Sequence, residues 1–164
     1  MKNILIIGCG LLGSSLLRRI KKKKLEKKIF IFEKSKSLKI ADTKIICDSR
    51  DYKKIFYEIK KKKLEKKICY VYTGSEFITS AAYVSKKLGL KWHSYKSAVI
   101  CENKNMQKKL FVKKNILSPK YKVITNYNEL NKNYFKTKKI ILKPTDGHAS
   151  KGISIVDRKK NSLK

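Results

Sequence analysis

The feature that most constrains the fold is a short apolar run that leads directly into a glycine turn. Residues 4–7 have the composition of a buried strand, and residues 8–13, GCGLLG, match the pattern G-x-G-x-x-G. Leu17 and Ile20 then recur at helical spacing, and residues 29–32 form a second apolar run. A strand, a glycine turn, a helix and a strand in this order predict a right-handed βαβ unit.

The same turn fits the fingerprint of a dinucleotide-binding domain. Gly8, Gly10 and Gly13 have the required spacing, and Glu33 stands 20 residues after Gly13, at the end of the second apolar run. In Rossmann domains, an acidic residue at that place binds the ribose hydroxyls of NAD. One hypothesis is therefore an NAD(P)-binding Rossmann protein or oxidoreductase.

The alternation of strands and helices continues after this unit. Residues 44–47 and 68–72 are short apolar runs typical of buried strands, and residues 52–67 between them have apolar positions at helical spacing. Strands that alternate with helices favour a parallel sheet. We therefore expect an α/β fold whose parallel strands lie near 4–7, 29–32, 44–47 and 68–72.

A second informative stretch is residues 140–156, IILKPTDGHASKGISIV. Two β-like runs, 140–142 and 153–156, enclose a polar loop that contains two glycines. Exposed N–H groups in such a loop form an anion-binding concavity, and Lys143 at the end of the first run adds a point charge for a phosphate oxygen. The stretch predicts a β-hairpin whose tip folds over phosphates.

This hairpin resembles the glycine-rich loop of the ATP-grasp ligases, the superfamily of biotin carboxylase, D-alanine–D-alanine ligase and the large chain of carbamoyl-phosphate synthetase. The matching residues are Lys143-Pro144, the loop 146–150, and Lys151-Gly152-Ile153. Upstream, Asn103-Lys104 resembles the head of a helix in that family, and residues 115–119, NILSP, resemble the break that follows that helix. These elements occur in the family's order, and the resemblance covers nearly the whole chain.

The resemblance implies two domains. A Rossmann-like, parallel-sheet pre-ATP-grasp domain would span residues 1–100, and the first, incomplete α+β subdomain of an ATP-grasp domain would span residues 101–164. In ATP-grasp enzymes the glycine turn often serves a substrate or packing without binding a nicotinamide cofactor.

The resemblance also implies an ATP site and a reaction. It makes Lys104 and Lys143 the contacts of the ATP phosphates, and it adds the loop residues Gly147, His148, Ala149, Ser150, Lys151 and Gly152. ATP would phosphorylate a small carboxylate substrate, and an amine or a similar nucleophile would attack the resulting acyl phosphate. The catalytic residues, the acid and the nucleophile stay open.

Part of the family's pattern has no counterpart in this sequence. The adenine-contacting hinge and the Mg²⁺-binding Glu and Asn of the family lie downstream of the glycine-rich loop, whereas this sequence ends at Lys164. We therefore predict no metal ligands in this chain, although Mg²⁺ is expected for the complete family enzyme. The resemblance implies the N-terminal portion of a ligase, truncated or split, inactive alone, and completed in the split case by a second chain.

Composition adds a third hypothesis, a basic binding module without enzymatic activity. The chain has 43 Lys and Arg against 12 Asp and Glu, which gives a net charge of +31. The lysines are spread along the whole sequence, however, and no RNA-binding signature accompanies them. We therefore interpret them as solvated surface and expect no specific nucleic-acid partner. No apolar run reaches the length of about 20 residues that a membrane span needs, so we expect a cytoplasmic protein without a membrane partner.

One ten-residue string, IKKKKLEKKI, occurs twice, at residues 20–29 and 59–68. Each copy joins a predicted helix to a predicted strand. We interpret the two copies as equivalent joints of an α/β fold and not as a solenoid repeat.

Overall fold

The computed structural model describes residues 2–8, 11–33, 41–74, 76–126, 129, 139–146 and 150–157. The chain divides into two units, Met1–Val99 and Ile100–Lys164. The described elements of the first unit are β1 (Lys2–Ile7), α1 (Leu11–Lys22), β2 (Glu26–Glu33), β3 (Thr43–Ile46), α2 (Tyr52–Lys61), β4 (Tyr70–Thr73) and α3 (Ile78–Lys87). The boundary falls within α4 (Tyr95–Glu102), and the second unit contains α5 (Lys104–Lys113), β5 (Lys139–Leu142) and β6 (Ser154–Asp157).

The first unit is organised around a four-stranded parallel sheet in the order β3-β2-β1-β4. Each of the four predicted strands is present and parallel, so the predicted α/β class is confirmed. Ile6 in β1 lies opposite Ile31 in β2 and Tyr72 in β4. A row of strands with this order buries β1 and β2 in the middle of the sheet, which explains why both read as continuous apolar runs.

Two hydrophobic cores cover the two faces of this sheet. On one face, Ile6 and Ile31 pack with Leu17 and Ile20 of α1. On the other face, the neighbouring strand residues pack with helix residues of α2 and α3: Leu5, Ile7, Phe30, Val71, Ile55, Ile59, Ala81 and Val84. The β1–α1–β2 and β3–α2–β4 crossovers therefore run in opposite directions over opposite faces, which gives both the same hand. Full burial of one Leu or Ile side chain contributes about 1.5–3 kcal/mol.

Four helices end in the same way, with a residue of positive φ after the helix. These residues are Lys24 (φ 49°), Lys63 (φ 52°), Gly89 (φ 68°) and Asn115 (φ 54°). In each case the N–H of the following residue donates to a carbonyl of the last helical turn, as Ile116 does to Phe111 at 2.8 Å. This is the Schellman arrangement, which satisfies carbonyls that the helix leaves open. It also ends α2 at Lys61, so the predicted helix over 52–67 is too long.

The second unit contains the predicted hairpin, with β5 and β6 antiparallel and Ile141 opposite Ile155. Among its described side chains none is buried. Ile141 and Ile155 are 57% and 67% exposed, and Leu117 is 99% exposed. Within the described residues, no helix combines the length and the apolar character that crossing a bilayer requires.

Candidate functional site

Lys143 stands where the first strand of the hairpin ends. β5 pairs with β6 up to Leu142, which lies opposite Ser154, and Lys143 follows directly with an exposed side chain. The next residue, Pro144, lacks the N–H that a further hydrogen bond between the strands would need. The strand pairing therefore ends here, and the chain continues into the loop. The structure therefore places Lys143 at the entrance of the predicted phosphate loop.

Helix α5 begins beside this entrance. Asn103 is its N-cap, and the Asn103 side chain accepts a hydrogen bond from the backbone N–H of Met106 at 2.9 Å. The next residue, Lys104, donates its backbone N–H to the carbonyl oxygen of Thr145 at 2.7 Å. Since Thr145 follows Lys143 by two residues, this bond joins the two segments that carry the predicted phosphate-binding lysines.

The far end of the loop returns to its start. Gly152 has a positive φ of 72°, and a Cβ atom on it would lie 2.7 Å from Cγ of Pro144. Only glycine allows this close approach. Ile153 donates its N–H to the carbonyl of Ser150 at 3.4 Å, which forms a turn before β6. Ser150 and Lys151 are exposed in this turn. The predicted loop residues Gly147, His148 and Ala149 lie outside the described residues.

The described part of the hairpin and of α5 fits a polyanion better than a metal ion. Lys143 and Lys151 are exposed cations, and Asp146 is an exposed acid of the same loop. No group of three or more His, Cys, Asp or Glu side chains occurs among the described residues in a geometry that could hold a metal ion.

The glycine turn of the first unit lies at the carboxyl edge of the sheet. Gly8 follows β1 with a φ of 74°, and Gly13 is buried in α1. Glu33 ends β2 at the same edge, since Phe32 lies opposite Ile7. Gly10 and the side chain of Glu33 lie outside the described part of the chain. The structure thus places Gly8 and the end of β2 at the same edge of the sheet, as the dinucleotide hypothesis requires.

Phe77 contacts this turn, and the sequence analysis did not identify it. A Cβ atom on Gly8 would lie 2.3 Å from two carbons of the Phe77 ring. Phe77 follows β4, the strand next to β1, and the two strands are also joined by the Thr73 hydroxyl, which donates to the carbonyl of Ile7 at 2.9 Å. The sequence did contain a signal for this contact, because Phe77 is a bulky apolar residue that comes shortly after a strand next to the glycine turn.

A groove of about 470 Å³ lies elsewhere in the first unit. Its walls come from α3 and from the segment that follows: Ala82, Lys86, Leu90, Trp92, His93, Ser94, Tyr95 and Lys96. Trp92 has ring contacts with Tyr70 at 6.0 Å and with His93 at 5.5 Å between centroids. None of the predicted site residues lines this groove.

Comparison with known proteins gives no sequence match but clear structural ones. No family model and no curated protein matches this chain. An L-amino acid ligase from Bacillus licheniformis has a similar structure, with a TM-score of 0.75 at 18% identity; 98% of this chain covers 40% of that one. An N5-carboxyaminoimidazole ribonucleotide synthetase from Thermotoga maritima has a TM-score of 0.65 at 23% identity, with 100% of this chain covering 44% of that one.

A third similar structure is an ADP complex of the N5-carboxyaminoimidazole ribonucleotide synthetase PurK. Its TM-score is 0.73 at 19% identity, and 97% of this chain covers 42% of that chain. This chain thus spans about two fifths of the length of the structures that it matches. The predicted resemblance is confirmed at the level of the fold: the chain has the α/β fold of the N-terminal regions of ATP-grasp ligases.

Proposed function

We propose that this chain is the ATP-binding, N-terminal part of an ATP-grasp ligase that joins a small carboxylate to an amine or a related nucleophile. The observation that carries this proposal is the 2.7 Å hydrogen bond from the Lys104 N–H to the Thr145 carbonyl. It holds the beginning of α5 against the loop that follows Lys143. This bond supports the assignment of two cations from segments far apart in the sequence to one proposed phosphate site.

In this proposal Lys104 and Lys143 bind the phosphates of ATP, and the loop from Gly147 to Gly152 closes over the transferring end. The γ-phosphoryl group passes from ATP to a carboxylate oxygen, which releases ADP and forms an acyl phosphate. The nucleophile then attacks the acyl carbon, and inorganic phosphate leaves. Loop N–H groups and lysine ammonium groups would stabilise the negative charge of the phosphates.

We further propose that residues 1–100 form the pre-ATP-grasp domain, and residues 101–164 the first portion of the ATP-grasp domain. Further polypeptide, in the same protein or in a second chain, would supply the adenine hinge and the carboxylates for Mg²⁺. The proposal is supported by the share of about two fifths that this chain spans in the matched ligases. The exposed apolar side chains of the second unit, such as Ile141 and Ile155, support it as well.

Nucleotide binding by the purified chain tests the ATP site. We expect weak binding with little base selectivity, so that ATP and GTP compete about equally for a fluorescent ATP analogue. Lys143→Ala should weaken this binding about tenfold, since a hydrogen bond to a charged group contributes roughly 1.5 kcal/mol. Lys139→Ala is the matched control, because Lys139 is an equally charged, exposed residue at the opposite end of β5, the strand that Lys143 follows. An equal effect of both substitutions would contradict the proposed site.

An ADP-release assay with Mg²⁺ and a panel of amino acids and other carboxylates tests the second part of the proposal. We expect no substrate-dependent turnover by this chain alone. Turnover that disappears in Lys143→Ala would show that this chain assembles a complete site, and it would overturn the proposed need for further polypeptide while keeping the ATP site.

A further inference from the structure

The two copies of IKKKKLEKKI adopt the same local structure. In both, the fifth residue is a lysine with positive φ, Lys24 at 49° and Lys63 at 52°. The N–H of that lysine donates to the carbonyl of the second residue at 3.1 and 2.9 Å, and the N–H of the sixth residue donates to the carbonyl of the first at 3.3 and 3.0 Å. Each copy is therefore a helix end that presents a tight cluster of lysines. We call the two copies the lysine turns.

The sheet topology brings both lysine turns to the same edge. One turn precedes β2 and the other precedes β4, and these two strands flank β1. Lys2 at the start of β1 pairs with Glu26. On the other side, the side-chain amide of Asn3 donates to the Lys67 carbonyl at 2.7 Å. Since adjacent strands are about 4.8 Å apart, the starts of β2 and β4, which follow the two turns, lie roughly 10 Å apart on either side of β1.

The lysines at this edge are exposed. They are eleven in number: Lys2, Lys22, Lys23, Lys24, Lys28, Lys60, Lys61, Lys62, Lys63, Lys66 and Lys67. Within the described part of the chain, none of these eleven lysines forms an ion pair. The ion pair described in this region joins Lys21 to Asp42 instead. Like charges at such short spacing produce a strong positive potential that attracts a polyanion. The half-buried Glu58 and Glu65 are the acids described near the second turn.

We propose that this edge, formed by the lysine turns and Lys2, binds the phosphate backbone of a nucleic acid without sequence preference. A polyanion with closely spaced phosphates releases counterions from several lysines at once, which makes such a surface bind tightly at low salt. An anionic membrane fits less well, because stable attachment also needs inserted apolar groups. The first turn exposes Leu25 by 58%, but its counterpart Leu64 is 7% exposed and belongs to the core. The proposed ATP site lies in the other unit, so this inference does not depend on it.

Neutralising the lysine turns tests the proposal. The edge variant carries Lys22→Gln, Lys23→Gln, Lys61→Gln and Lys62→Gln, which take equivalent places in the two turns. The control variant loses the same charge at exposed positions outside the lysine turns: Lys53→Gln, Lys54→Gln, Lys109→Gln and Lys113→Gln. Gln and Lys have similar helix propensities, so both variants should fold.

Binding to a mixed-sequence DNA duplex is measured by fluorescence anisotropy over a range of salt concentrations. Each lysine that contacts a phosphate contributes about −0.9 to the log–log salt slope, which corresponds to about fivefold in affinity near 0.15 M salt. The edge variant should therefore bind at least about tenfold more weakly with a shallower slope, and the control variant should change less than the edge variant. Equal losses in both variants would show that total charge alone attracts DNA and would overturn the proposal. Tighter binding to phosphatidylserine vesicles than to the duplex would overturn it as well.

Footprinting of the unchanged protein gives an independent measurement. Bound duplex should protect the lysines of the two turns from an amine-acetylating reagent more than it protects Lys53, Lys54, Lys109 and Lys113. Uniform protection of all these lysines would contradict a dedicated surface.

Discussion

At the scale of single residues, Asp42, just before β3, connects neighbouring elements through the hydrogen bonds of its carboxylate. Its carboxylate accepts the backbone N–H of Ile29 at 2.7 Å and the Lys21 ammonium group at 3.0 Å. Its own backbone N–H donates to the Ile29 carbonyl at 3.1 Å. Burial raises the pKa of this carboxyl group, but the hydrogen bonds from Ile29 and Lys21 lower it more, so the pKa lies below its ordinary value. One side chain thus joins α1, β2 and the beginning of β3.

We predict that Asp42→Ala destabilises the protein by roughly 2 kcal/mol, because it leaves the N–H of the buried Ile29 without its acceptor. Asp42→Asn should cost less than about 1 kcal/mol, since its amide oxygen can still accept and the lost ion pair is partly exposed. Urea unfolding at neutral pH measures both values.

The pH dependence of the same residue has a defined sign. A carboxyl group whose pKa is depressed by folding adds stability above its unfolded pKa, and this stability is lost as the pH falls through the folded pKa. The difference between the original protein and Asp42→Asn should therefore shrink below about pH 4. A difference that stays constant from neutral to acidic pH would contradict the assigned role of the charge.

Phe77 and Gly8 lead to a prediction about the dinucleotide hypothesis. The Phe77 ring occupies the space beside Gly8, where a Cβ atom would be only 2.3 Å away. Ligands of open α/β sheets bind at the carboxyl edge where the strand order reverses, which in this sheet lies next to β1. We therefore expect no specific NADH binding in a fluorescence titration. Micromolar NADH affinity that is lost in Glu33→Ala would support the NAD-binding alternative instead.

At the scale of elements, the helices end with the same backbone structure, but the residues at the position of positive φ differ in how well they tolerate that conformation. The residue with positive φ is glycine after α3, where Gly89 has open space around its Cα, but it is lysine after α1 and α2. A side chain at this backbone conformation costs roughly 1 kcal/mol compared with glycine. The Schellman hydrogen bonds of these two helices form in spite of that cost.

We predict that Lys24→Gly and Lys63→Gly each stabilise the protein, by about 0.5–1 kcal/mol, because glycine adopts this conformation without strain. Lys22→Gly is the matched control: it removes the same charge two residues earlier, inside α1, and should destabilise by about 1 kcal/mol. Thermal unfolding of the three variants measures the sign of each change. Destabilisation by all three would mean that the lysine side chains themselves support the turns.

At the scale of the whole molecule, the two units differ in how much they bury. The first unit has a core on both faces of its sheet, with Leu5, Ile6 and Ile7 fully buried. The second unit buries none of its described side chains, and its hairpin has two strands. An isolated two-stranded hairpin is marginally stable in water, because it has no third strand or apolar surface to cover it.

We predict that hydrogen exchange separates the two units. Amides of β1, β2 and β4 should exchange slowly through global unfolding, whereas amides of α5, β5 and β6 should exchange through local opening and therefore faster. Mass spectrometry of peptides after exchange measures both groups in one experiment. Equal protection of both units would show that the hairpin is held by contacts as strong as those of the sheet.

The sequence by itself determined the local features of this protein. Apolar runs set the four parallel strands, and the repeated string set two identical helix ends, because those structures depend on neighbouring residues. The order of motifs from Lys104 to Gly152 also predicted the fold of an ATP-grasp N-terminal region, which the structural matches confirm. Structure that depends only on residues within one turn or one strand could be predicted directly from the sequence.

Tertiary structure decided the rest, and the two copies of IKKKKLEKKI show why. Their helix ends agree, yet Leu25 is 58% exposed whereas Leu64 is 7% exposed. The first copy enters β2 at Glu26, but the second makes another turn and reaches β4 only at Tyr70. Identical residues gave different burial and different strand starts because the packing surface around each copy differs. The contact of Phe77 with Gly8 and the bond from Lys104 to Thr145 likewise join distant segments, and the packing of the folded chain brings those segments together.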